Sequence, residues 1–417
     1  MPKKHLNNHL LLTWRRSTLF LSLSMPFTRR ILTWVALVFT LMALISNAAR
    51  FSKLDWIIWD DYVEYWSASH LNLTRGNPYS PEQIKAVEYA IGRHEKIPLM
   101  MWNPPWTLGV ILPLALFPYP VSRLLWYLIG IAIILGCASW LWQKHGGERK
   151  RLWLIWLLTF TFAPTLHVLK MGQISPLLLL SAVGYWACIQ RRKDWAAGAL
   201  AALALIKPHL LYLFLPAVLV WAMLKRRWGV LWGFGLAIVA ATGLAWAINP
   251  ALMEQYWIAI TTYPPEAWRT PTLGGMLRDL FGGRYFWLQF APSAVGAAWL
   301  ALYAWKRRTN WNWERQLPLI VLVSVTTAAY GWVFDQTISL AALIPAAVTL
   351  CDPRRWQRNC VDHDCAPIRL AILSAVYLAV NLIAAFTSQE QHWYWWMPTF
   401  FLLWTNAVWL HRPADLP

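Results

Sequence analysis

The stretch DWIIWDDYVEYW, residues 55–66, sets Asp55, Asp60, Asp61 and Glu64 among tryptophans a few residues after a long apolar run. Neighbouring side chains point about 100° apart on a helix and to opposite faces of a strand, so Asp60 and Asp61 do not read as a paired-carboxylate dyad. One of them suffices as a general base that takes a proton from a hydroxyl. A structural role is open as well: Asp61 is placed to N-cap a helix YVEYWSASHL, with Glu64 three residues on completing a capping box. The two roles are compatible if Asp60 caps and Asp61 faces a cavity. A second polar pair, Lys207 and His209, interrupts the apolar run AAGALAALALIKPHLLYLFLP (196–216). A cation at such a depth is costly and marks either a site or a side chain snorkelling to the interface. Placed in a site, it suits an anionic leaving group such as phosphate, because cations and amide donors act most strongly where water is scarce.

Other polar residues carry less. Arg269, Arg278 and Arg284 are placed for phosphate, for sugar or for lipid headgroups. Lys170 and Gln173 lie on a short turn, and Asp335-Gln336 interrupts two apolar runs; each reads equally as structural or functional. Cys360 and Cys365 flank Asp362, His363 and Asp364, but their spacing is not a standard zinc pattern, and no metal site is expected from it. Walker, dinucleotide-binding and metalloprotease signatures are missing from the sequence, so a nucleotide-sugar donor is not indicated.

The elements that must position these groups are membrane helices. Of 417 residues, 58% are hydrophobic and 13% charged, and the mean hydropathy is +0.39, against about 25% charged residues in soluble domains. The 32 tryptophans suit the lipid–water boundary. With about 20 apolar residues per crossing, fewer where Pro breaks a run, the expected spans are 31–49, 122–143, 152–168, 175–190, 195–206, 210–224, 229–248, 285–305, 317–334, 337–350, 369–388 and 393–411. Residues 1–30 read as an amphipathic segment on the membrane surface, and 31–417 as one transmembrane domain. Basic clusters at 148–151, 191–193, 225–227, 306–308 and 354–358 fall between alternate spans. By the positive-inside rule they are cytoplasmic, as are both termini, and the chain is a multi-pass plasma-membrane protein. The net charge of +18 is then explained by these loops and by membrane lipids, without nucleic acid. One segment, 107–118, is expected to be re-entrant; it would cross if 195–224 crossed only once. The large loops 50–106 and 249–284 face outward, so chemistry is expected there.

The first outer loop resembles that of glycosyltransferase family 87, membrane enzymes of the GT-C class. The family pattern of an Asp, an aromatic, two residues and Tyr-aromatic, then Gly-x-x-Pro-Tyr, falls on Asp61, Tyr62, Tyr65, Trp66, Gly76, Pro78 and Tyr79. NPPWTLGVILPLALFP (103–118), GQISPLLLL (172–180), the run broken by Lys-Pro, and NPALMEQYWIAITTYPP (249–265) continue the resemblance in order. It implies an all-α GT-C fold with about 12 transmembrane helices and an inverting hexosyltransferase. The implied donor is a polyprenyl-phosphate sugar, notably mannose, and the acceptor a lipid or glycan. It implies Asp61, or Asp60 because the acid is doubled here, as the base, with Lys207, His209 and Arg269 at the donor phosphate. Tyr65, Asn77, Tyr79, Asn103, Gln173 and Tyr263 would line the substrate pocket. No cofactor follows with certainty, and a divalent cation stays open. The rival reading is a lipid or polysaccharide transporter or flippase without covalent chemistry, although the sequence has no clear internal repeat of the kind transporters carry.

Overall fold

In the computed structural model the residues described are 61–262, 268 and 270–351. Among them the chain is helical, with no strand. The first three helices are α1 (Tyr62–Leu73), α2 (Pro81–Ala90) and α3 (Trp106–Ala115). Then come α4 (Tyr119–Lys144), α5 (Leu152–Thr161), α6 (Ala163–Met171), α7 (Ser175–Gln190), α8 (Asp194–Ala202), α9 (Phe214–Leu224) and α10 (Trp228–Ile248). After them lie α11 (Leu252–Thr262), α12 (Leu273–Leu280), α13 (Ala291–Arg307), α14 (Trp313–Thr327) and α15 (Leu340–Cys351). The expected segments 1–30, 31–49, 369–388 and 393–411, and the cysteine loop 351–365 beyond Cys351, lie outside the described residues.

Among the described residues α4 and α10 are long and apolar enough to cross a membrane, and α5 with α6 forms an apolar pair bent by 67°, a broken span or a re-entrant loop. The bend falls at Pro164 in the first turn of α6, whose ring crowds the carbonyl four residues back and which has no N–H to donate. The expected span 285–305 starts as a 3-10 helix, Phe286–Phe290, before α13. That at 317–334 stops at Thr327, and 337–350 begins inside the 3-10 helix Val333–Ser339. Segment 107–118 is α3, a ten-residue helix, or about 15 Å of rise, too short to cross.

One contact fixes the shape of 195–224. Arg227 grips Asp194 in a fork, its Nε donating to Oδ2 at 2.7 Å and its Nη2 to Oδ1. The chain between them therefore leaves one level and returns to it, as a hairpin with two legs. The outward leg is α8 continued by the 3-10 helix Leu203–Ile206, and the return leg is α9.

Small residues let these helices meet backbone to backbone, which is how membrane helices gain contact without a hydrophobic driving force between them. A Cβ on Gly198 of α8 would lie 2.0 Å from the Val230 carbonyl oxygen of α10, and one on Gly233 of α10 would lie 2.1 Å from that of Trp195. A Cβ on Gly109 of α3 would meet the Ala241 oxygen at 2.0 Å, so α3 lies against α10 as well. Each of α4, α7, α9 and α13 ends at a basic cluster, at Lys144, Arg191, Lys225 and Arg307. Lys225 and Arg308 line a single groove between α9 and α13. The polar residues described next gather at the other ends of these helices.

Candidate functional site

The site starts at a turn. Gly172 ends α6 in the left-handed region (φ 63°), and the Gln173 N–H returns to the Val168 carbonyl at 3.1 Å, a helix C-cap that glycine supplies without Cβ strain. Trp126 of α4 donates from Nε1 to the Gly172 carbonyl at 2.7 Å. Gln173 is thus held clear of both α6 and α7.

Asp61 arrives from the start of α1, where its N–H donates to the Met171 carbonyl at 2.8 Å. The capping role is not taken up: the Asp61 side chain makes no cap hydrogen bond, and its backbone is already in the right-handed helical region, whereas a capping residue is usually extended. Its Oδ2 instead accepts from Gln173 Nε2 at 2.8 Å. The Gln173 Oε1 accepts from Tyr65 OH at 2.8 Å and from Lys207 Nζ at 2.9 Å. Lys207 Nζ also donates to Asp335 Oδ1 at 2.9 Å. Asp335 is held in turn by Ser175 Oγ at 2.5 Å and by the Trp332 N–H, which reaches Oδ2 at 2.9 Å. Four separated segments therefore meet in one polar chain from Asp61 to Asp335.

Lys207 sits where it does because Pro208 follows it. A residue before proline is pushed out of helical geometry, and Lys207 has φ −131° and ψ 75°. The break frees carbonyls that membrane burial would leave costly. Asn103 Nδ2 takes the Ile206 carbonyl at 2.9 Å and Trp106 Nε1 that of Leu205 at 2.9 Å. Snorkelling is excluded as the account of Lys207, which is 9% exposed and ion-paired.

The remaining candidates divide. Tyr79 OH donates to the Asn103 carbonyl at 3.3 Å, and Asn77 Oδ1 accepts from the Tyr79 N–H at 2.9 Å. Asn77 thus shapes the turn, while Tyr79 supports Asn103. His209 lies edge-on to Tyr330, ring centroids 6.2 Å apart. Asp60, Tyr263 and Arg269 lie outside the described residues. Arg278 joins α12 to the next 3-10 helix, donating to Gln289 Oε1 at 3.0 Å while stacking over Phe286. No sequence pattern marks Ser175, and Asp335 reads equally as structural or functional. The usable signal was a pair of opposite charges in apolar runs, since such groups pair with one another. No grouping of three or more His, Cys, Asp or Glu able to hold a metal ion occurs among the described residues.

Burial raises the proton affinity of the Asp61 carboxyl, opposed by the Gln173 hydrogen bond and by the Lys207 charge. Glu64, one turn along α1, is pushed up to about 8 by burial and then by the Asp61 charge. At neutral pH it is mostly a neutral acid. An ionised carboxylate with one oxygen held by an amide, backed by a buried ammonium, can take a proton from an acceptor hydroxyl.

Residues 102–334 match the family described as Glycosyltransferase family 87. The chain belongs to that family. Its matched stretch contains Asn103, Gln173, Ser175, Lys207 and His209; Asp61 and Tyr65 precede it, and Asp335 follows it directly. An alpha-(1->3)-arabinofuranosyltransferase of Corynebacterium glutamicum is similar, 27% identical over 298 residues. The match covers 68% of this chain and 66% of that relative, just under two thirds of its length. No solved structure matches this chain.

Proposed function

We propose that this family 87 chain transfers a sugar from a polyprenyl-phosphate donor to a hydroxyl of a lipid or glycan acceptor at the extracytoplasmic face of the plasma membrane. Asp61 is the general base, and Lys207 and His209 attend the donor phosphate. The observation that carries this reading is the hydrogen-bonded bridge from Asp61 through Gln173 to the buried Lys207 ammonium.

In this mechanism the acceptor oxygen attacks the anomeric carbon as its proton passes to Asp61. The bond from that carbon to the donor phosphate oxygen breaks, the pair leaves with phosphate, and the anomeric configuration inverts. Lys207 has three N–H donors, two of them engaged by Gln173 and Asp335, so one remains for a phosphate oxygen. The sugar is expected to be a hexose, mannose by family resemblance. The arabinofuranosyltransferase similarity favours a second reading, a pentofuranose carried on the same lipid.

Purified protein incubated with a panel of radiolabelled polyprenyl-phosphate sugars, mannose, glucose and arabinofuranose among them, tests the proposal, with a chelator arm to register a divalent ion. Transfer to a membrane-lipid or glycan extract from one donor, abolished in Asp61→Asn, is expected. Donor binding with no product from any member of the panel, and equal flipping of the lipid by wild type and variant, would instead make the protein a flippase.

A further inference from the structure

Gln173 is the residue on which the whole polar chain converges, and nothing in the transfer chemistry requires an amide there. We propose that Gln173 is a positioning residue that couples the charge of Lys207 to Asp61, holding that carboxylate ionised and aimed. The inference rests on the reading of Asp61 as the base, and it concerns how that base is kept ready.

The argument begins with the direction of the amide. Its Oε1 receives two donors, Tyr65 OH and Lys207 Nζ, and the ammonium cannot face an NH2 group because it has no acceptor capacity. The Nε2 is therefore turned toward Asp61, where it meets Oδ2 at 2.8 Å. Lys207 is fixed from its other side by Asp335, itself held by Ser175 and the Trp332 N–H. The ammonium polarises the amide carbonyl, which strengthens the N–H donated to the carboxylate, as hydrogen bonds in series do. Direct pairing of Lys207 with Asp61 would quench the base; one amide between them favours ionisation while leaving Oδ1 open to an acceptor.

Besides Gln173 and Lys207, the groups that act on Asp61 are Asp335 and Arg93; other titratable groups lie on the elements around it. Glu64 and Tyr65 lie on α1 itself, Glu88 and Arg93 pair beside it at 2.5 Å, and Arg123 of α4 lies over the Tyr62 ring, 5.9 Å from its centroid. Lys207 lowers the proton affinity of Asp61 and Asp335 raises it. Arg93, already satisfied by Glu88, contributes least among the causes that reach Asp61. Gln173 is the group that touches it.

The test reads Asp61 directly in the full-length protein, with no substrate. Infrared difference titration, wild type against Asp61→Asn, follows the protonated-carboxyl band of Asp61 with pH. The same titration is run in Gln173→Met, which removes the amide, and in Gln173→Glu, which keeps the shape and the Tyr65 and Lys207 contacts but sets a carboxylate against Asp61. A hydrogen bond to a charged group is worth enough to move the Asp61 midpoint up by about one pH unit in Gln173→Met, and Gln173→Glu should move it at least as far. The acid limb of kcat/KM, once a donor is in hand, should move with it. Midpoints that stay at the wild-type value in folded variants overturn the coupling. If Gln173→Met fails to fold, the near-isosteric Gln173→Glu decides alone. A shifted midpoint combined with full turnover in Asp61→Asn leaves the coupling standing and removes Asp61 as base. An unmoved midpoint with turnover lost in Asp61→Asn does the reverse.

Discussion

The Asp61 carboxylate stands at a helix start yet caps nothing. Its replacement by Asn therefore separates chemistry from stability. Asn is nearly isosteric and can still accept from Gln173 Nε2, but it takes no proton at neutral pH. Asp61→Asn is expected to lose at least about a hundredfold in turnover with its melting temperature in detergent barely changed, while Asp60→Asn loses much less. Swapped behaviour would make Asp60 the base. At this scale much of the site was legible from single residues. A lysine beside a proline inside an apolar run implied a site or a partner, and Lys207 has both an amide and a carboxylate. What stayed hidden was which carboxylate, because Asp335 lies 128 positions away along the chain and no local pattern links the two. The capping box expected at Asp61 and Glu64 fails for a related reason: spacing shows that a cap can form, whereas the side chain has a better partner in Gln173 of the turn between α6 and α7.

Helices were readable where their apolar runs were continuous. The expected 122–143 and 229–248 correspond to α4 and α10 within a few residues. Hydropathy failed where irregular backbone is itself apolar. The stretch 328–332, AAYGW, follows α14 without being helical, yet its Ala, Tyr and Trp count toward a span, so the expected span 317–334 runs seven residues past the helix. The bend between α5 and α6 was likewise masked by an unbroken apolar sequence, with Pro164 as its only sign. The hairpin 194–227 depended on something hydropathy does not measure, the Asp194–Arg227 fork. Its contact with α10 is sensitive to single atoms. Gly198→Leu pushes a side chain into the Val230 carbonyl, where even a Cβ would lie at 2.0 Å. Overpacking typically costs about 1–3 kcal/mol, and contact with rigid backbone sets this case at the upper end. Thermal unfolding in detergent should show a clear drop for Gly198→Leu, and little for the same change at Gly235, where nothing lies within 4 Å.

Among the described residues, helices α4, α7 and α9 carry basic residues at one end, and site residues or their supports lie at or before the other. The extracytoplasmic site proposed above rests on the positive-inside rule applied to these ends. Single cysteines at positions 61 and 263 are expected to react with an impermeant reagent added outside intact cells, and those at 225 and 307 only after the membrane is opened; labelling of 61 from inside would defeat the assigned face. The twelve-span topology was legible only in outline, because several apolar helices are shorter than a bilayer and are completed by 3-10 turns, bends or hairpins. The hairpin's legs, thirteen and eleven residues, rise about 20 and 16 Å, against a hydrocarbon core of about 30 Å. That shortness bears on how the chain is made. Neither leg is long enough to be stitched into the bilayer alone, so the two must enter together with the Lys207 charge at their tip. Gln173 has already left the ribosome by then, but Asp335 is 128 residues away, roughly 6–26 s of synthesis at about 5–20 residues per second. Through that interval the order of synthesis alone puts the amide, and not yet the carboxylate, within reach of the lysine.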